Sequence, residues 1–246
     1  MIAWKRELEA SGAKPATIRR KLAALSSLFT HLVRHRAVGA NPCREIKRPS
    51  VNRREGRTPA FSVEEARALL DAPPANTILG LRDRAILSVG LQAGPRRSAI
   101  AGLTVGDFFV DRGYDSLRFR WKGGYEHALT LHPQTAQRIR QYLGEAGHGQ
   151  DVDGPLFRPI RVQLEGGDRR HLDAGEIGRI VQRYVKAAGI RGRFSAHSMR
   201  ATFITRALEN GASLEEVQRA PATPLRRPRS STIAGVSRPT RVRRCS

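Results

Sequence analysis

The chain has 246 residues, 39% of them hydrophobic, with a net charge of +22 and a pI near 11.5. That length suits one large domain, or a small domain beside a larger one, and no apolar run is long enough to span a bilayer. Met1–Gly12 is amphipathic and charged, unlike a signal peptide, and two cysteines, Cys43 and Cys245, are too few for a disulfide framework or a zinc cluster; a soluble, cytoplasmic protein is expected. The charge points to a polyanionic partner, nucleic acid above all. Eight arginines after Glu216 supply part of it, yet the first 216 residues still carry +14.

In chain order, residues 1–11 read as a short amphipathic helix broken by Gly12. A long helix is predicted over residues 17–38, with Ile18, Leu22, Leu25, Leu28, Phe29 and Leu32 on one stripe, stopped by Gly39 and Asn41-Pro42. Its other face shows Arg19, Arg20, Lys21, Arg34 and Arg36. Residues 46–60 are basic, polar and contain two prolines, as a linker would; Lys47, Arg48, Arg53 and Arg54 repel one another unless they lie on phosphate. A second domain starts at Ser62, which caps a helix over residues 64–72 with Glu65 completing a capping box. An apolar helix follows over 76–94, breaks at Gly94-Pro95, and restarts briefly after Arg96.

Residues 116–131 alternate around Lys122-Gly123-Gly124, a β-hairpin pattern with glycine in the turn. Pro133–Gly144 reads as a helix with Ala136, Ile139 and Leu143 inward, and 147–172 as a polar, glycine-rich loop. Asp173 caps a helix over 174–190, with Tyr184 read as core; Ser195 caps another over 196–210, closed by Gly211. Ser213 and Glu216 form a further capping box. The whole is expected to be mainly α with a small antiparallel sheet.

Four pieces carry chemistry: Gly94-Pro95-Arg96-Arg97-Ser98, the hairpin lysine Lys122 before a glycine pair, the helical pair His197 and Arg200, and the basic N-terminal helices. Alone, Arg96 reads as a structural arginine and Lys122 as a hairpin tip. A second His-x-x-Arg, at His31 and Arg34, reads as a helix edge. In this order and context they resemble the tyrosine recombinases, meaning phage integrases and Xer-type recombinases, over roughly residues 10–220. The resemblance implies part of a helical core-binding domain over 1–48, a basic linker over 49–60 and a catalytic domain over 61–219. It implies that Arg96 and Arg200 clamp the scissile phosphate, Lys122 protonates the leaving 5′ oxygen, and His197 hydrogen-bonds the phosphate or tunes the nucleophile. The basic residues Arg19, Arg20, Lys21, Arg34, Lys47, Arg48, Arg53 and Arg54 would then contact double-stranded DNA, with four protomers assembling on two sites and neither metal nor cofactor required. The sequence departs from the family pattern at Ala99, where glutamate is usual, and at Pro95.

The resemblance also implies a Gly-His motif after the His197 helix, with a nucleophilic tyrosine nine positions beyond it. Here Tyr114, Tyr125, Tyr142 and Tyr184 all precede His197, and no histidine follows it. Residues 220–246 are instead a basic run of Arg, Pro, Ser and Thr without an acidic or aromatic residue. Read one base earlier, degenerate codons from Ala220 onward permit Ala-Gly-His, eight residues, then Tyr, which is the spacing the family requires. A one-base deletion near codon 220 is the expectation; a disordered DNA-binding extension is the alternative. Either way this chain is expected to bind DNA without forming a covalent link to it.

Overall fold

The computed structural model describes residues 1–50, 58–120, 126–160, 169–213, 215 and 217. The chain divides into two compact units, Met1–Arg57 and Thr58–Ser246. Lys122 and the rest of its turn, Arg53, Arg54, most of the second capping box at Ser213 and the basic run over 220–246 lie outside the described residues.

In the first unit, helix α1 (Ile2–Ala10) packs on α2 (Pro15–Arg34). Proline at the first helical position fits there, because that N–H has no intrahelical partner. Of the predicted apolar stripe, Ile18 and Leu22 are buried, as is Cys43, whereas Leu28 is 51% exposed. The helix stops four residues before the predicted end. His35 closes it, Arg36 turns left-handed at φ 56°, and Ala37 N–H donates back to Leu32 O at 2.9 Å. This is a Schellman end built without glycine. Asn41, expected to break the helix, staples it instead: its Nδ2 donates to Ser26 O at 2.9 Å and Thr30 Oγ1 at 3.0 Å, while its Oδ1 accepts from Cys43 N–H at 2.9 Å.

The second unit is built around one helix. After α3 (Val63–Asp71), whose Ser62–Glu65 capping box forms in both directions, comes α4 (Ile78–Ala93), buried on nearly every side. A helix that is apolar all round belongs in a core, and α4 packs against α3, α5 (Arg97–Ala101), α6 (Pro133–Ala146), α7 (Ala174–Ala187) and α8 (Ala196–Glu209). A three-stranded antiparallel sheet stands beside it, ordered β1 (Phe108–Asp111), β2 (Tyr114–Arg120), β3 (Glu126–Thr130). Leu117 and Phe119 of β2 face the core. The fold is therefore mainly helical with a small antiparallel sheet.

Local details differ from the sequence expectation. Strand β1 adds a hairpin that apolar alternation did not reveal; its turn is Arg112-Gly113, both at positive φ (48° and 83°). Helix α6 runs through Gly144 to Ala146, and Gly147 at φ 68° ends it. The polar loop over 147–172 has a buried centre: Leu156 and Phe157 are wholly buried, and Arg158 N–H donates to Tyr142 Oη at 3.2 Å. Pro155, Leu156 and Phe157 form an apolar triplet inside a polar, glycine-rich stretch, and the core takes them in.

Candidate active site

The site grows from the end of α4. Gly94 caps that helix in the left-handed region at φ 56°, a conformation L side chains rarely adopt. A Cβ there would lie 2.8 Å from the Phe203 ring of α8. Glycine thus lets α8 approach the turn, and Arg200, just before Phe203, donates from Nη1 to Gly94 O at 3.2 Å. Pro95 carries the chain to Arg96, which sits at the N-cap of α5 with its side chain exposed.

Arg200 is anchored on the carbonyl of the turn that leads to Arg96, near enough for the Arg96 charge to act on it. Burial, and then the Arg96 guanidinium, hold the Arg200 pKa below its ordinary value. Two like charges held close raise each other's energy, and an anion placed between them relieves it. Guanidinium forks match the oxygens of a phosphate in pairs, which suits such a cradle.

His197 lies in the first turn of α8, three positions before Arg200 and so on the same face. Ser195 Oγ accepts its backbone N–H at 3.2 Å, and Ser195 N–H donates to Ser198 Oγ at 3.0 Å, which fixes the helix start. The His197 side chain is exposed and lines an open groove of about 770 Å³ with Arg97, Arg179, Arg183 and Lys186. These four cations were missed by sequence reasoning. Their signal was the spacing of Arg179, Arg183 and Lys186 along the polar face of α7, which alone reads as an ordinary solvated face.

Lys122 lies outside the described residues, but the stems of its hairpin are held. Arg120 pairs with Glu126 across the strands at 2.9 Å and reaches buried Asp107 at 2.7 Å. Tyr184 is buried and donates to Asp83 Oδ2 at 3.0 Å. In the first unit, Arg19, Arg20, Lys21, Arg34, Lys47 and Arg48 are all exposed. Arg34 and Arg48 line a hollow of about 810 Å³ with Asn41, and Arg19 Nη1 donates to Pro49 O at 3.3 Å.

Comparison with known proteins gives one consistent neighbourhood. The phage integrase family profile matches residues 60–222. A tyrosine recombinase XerC of Pelobacter propionicus is 36% identical over 200 residues, covering 81% of this chain and 62% of that protein. The chain therefore spans about three fifths of the length of that curated relative. The XerH site-specific recombinase bound to a palindromic difH substrate has a TM-score of 0.69 at 21% identity, over 89% of this chain and 64% of that one. A lambda integrase tetramer bound to a Holliday junction has a TM-score of 0.63 at 17% identity, over 88% of this chain and 61% of that one. These two likenesses concern the fold.

Proposed function

The chain belongs to the phage integrase family of tyrosine recombinases, and from that premise we propose that it derives from a site-specific recombinase and grips one phosphodiester of double-stranded DNA between Arg96 and Arg200. The observation that carries this reading is the hydrogen bond from Arg200 to Gly94 O, which fixes this guanidinium at the turn leading to Arg96. Attack on a phosphodiester builds negative charge on its non-bridging oxygens. Preorganised cations aimed at that charge stabilise the transition state without a metal ion. Lys122, two residues beyond the clamped stem at Arg120, delivers a proton to the leaving 5′ oxygen; a positioned acid is worth about 10²–10⁴ in rate. His197 hydrogen-bonds the phosphate from the other end of the Arg200 face.

The nucleophile is the missing part. No tyrosine follows His197, and of the described tyrosines Tyr142 and Tyr184 are buried. Without a nucleophile the covalent step is lost, so this chain acts as a DNA-binding recombinase derivative that does not cleave. Arg19, Arg20, Lys21, Arg34, Lys47, Arg48, Arg53 and Arg54 take the flanking phosphates, as their exposure or their position in the basic linker allows. The lambda integrase neighbour is a tetramer on a Holliday junction; self-association of this chain on DNA, in the cytoplasm, follows the same pattern.

Two measurements test this. Gel-shift titration with a random-sequence duplex gives binding by the intact chain; absence of binding sinks the DNA reading. Incubation with a pool of nicked duplexes, followed by a denaturing gel, gives no protein–DNA adduct; a tyrosine-linked adduct overturns the non-cleaving reading. Sequencing the gene across codons 215–235 decides whether a shifted frame encodes the His and Tyr spaced nine apart.

A further inference from the structure

Beneath the groove beside His197 lies a buried charged cluster that the proposed chemistry does not use. Asp83 of α4 is wholly buried. Its Oδ1 accepts from Arg82 Nε at 2.9 Å and Nη2 at 2.7 Å, and Arg82 is itself 3% exposed, with Nη1 donating to Arg158 O at 3.0 Å. The other oxygen, Oδ2, faces α7. It accepts from Tyr184 Oη at 3.0 Å and lies 3.5 Å from Arg183 Nη1. Arg183 emerges from this contact half exposed and lines the groove that His197 and Lys186 also line.

We propose that Asp83 is a positioning residue, holding Arg183 at the groove so that its guanidinium meets a DNA phosphate next to the one gripped by Arg96 and Arg200. This rests on the DNA-binding reading above. A long arginine side chain loses rotamer freedom when it binds a phosphate. A buried carboxylate that already restrains one guanidinium nitrogen removes part of that loss and leaves the others for the ligand. Arg82 balances the first carboxylate oxygen, so the second remains available to Arg183 and Tyr184 without an uncompensated charge at the core.

The direction of the effect separates this role from bulk electrostatics. Removing a carboxylate makes the protein more cationic, which by itself strengthens binding to a polyanion. Positioning predicts the reverse. Arg183→Gln is expected to weaken binding to a random-sequence duplex about fivefold to tenfold at about 0.15 M salt. The plot of log Kd against log salt becomes shallower by about one. Asp83→Asn is expected to do nearly the same, and the double variant no more than Arg183→Gln alone. Circular dichroism checks folding at each step; if Asp83→Asn does not fold, Asp83→Glu, which keeps the charge but moves the carboxyl, takes its place and is expected to lose the same slope. Unchanged or tighter binding by the Asp83 variant overturns the proposal. So does a full salt slope in Arg183→Gln, or losses that add in the double variant. Failure of the unaltered chain to bind any duplex overturns the DNA reading instead.

Discussion

Gly94 links backbone and chemistry at a single residue. Its left-handed φ and the absence of a Cβ let Phe203 sit against the turn, and its carbonyl receives the Arg200 guanidinium. Gly94→Ala therefore combines a left-handed penalty with a contact of 2.8 Å, and an expected loss of about 1–3 kcal/mol in urea denaturation follows. An unchanged midpoint would remove the reason given for glycine there. His148 offers a pH test. Burial holds its ring below the ordinary histidine pKa, and its Nε2 lies 3.2 Å from Leu156 O. The unfolded chain, with histidine near about 6.5, takes up the proton first. Stability from this group is thus complete above about pH 6.5 and is lost as pH falls through the window down to the lowered folded value. Denaturation midpoints at neutral and mildly acid pH should differ less in His148→Gln than in the unaltered chain; equal differences would rule the group out.

At the scale of elements, two ends are closed by arginine where glycine or asparagine fits better. Arg36 ends α2 at φ 56° and Arg112 opens the β1–β2 turn at φ 48°. Each bears a Cβ in the left-handed region, which costs about 1–2 kcal/mol relative to the right-handed one. Arg36→Gly should stabilise the last turn of α2 by about 0.5–1 kcal/mol, even after the entropy of glycine is counted. Arg112→Asn places Asn-Gly in a two-residue hairpin, the pairing such a turn favours. Hydrogen exchange at Ala37 N–H and at the β1–β2 amides reads each locally. Faster exchange in either variant contradicts the corresponding backbone argument.

The molecule as a whole carries +22, spread from the first helix to the last residues. DNA binding should accordingly weaken steeply with salt, log Kd changing by roughly 0.9 per phosphate neutralised for each decade of salt. A flat salt response would mean that the charge is solvated surface rather than footprint. On the non-cleaving reading proposed above, the same preparation should yield no covalent adduct on nicked duplexes, and a tyrosine-linked adduct overturns it. Binding and cleavage are thus separate predictions, and each has its own readout.

Much of this was legible in the residues alone. Capping boxes, the Gly94-Pro95 break after α4, apolar periodicity and the hairpin alternation are local signals, and local signals fix where helices and strands begin and end. The resemblance to the tyrosine recombinases was legible for the same reason, since the order of Arg96, Lys122, His197 and Arg200 is a property of the chain. What the sequence concealed is non-local. The hydrogen bonds of Asn41 back to Ser26 and Thr30, the burial of Leu156 and Phe157 within a glycine-rich loop, and the contact of Asp83 with Arg183, 100 positions away, each depend on what lies opposite in space. Charge that reads as a solvated helix face becomes a groove only when α7 is laid beside α8. Propensity and spacing act between neighbours in the chain, whereas burial and electrostatics act between neighbours in space, and only tertiary packing decides who those are.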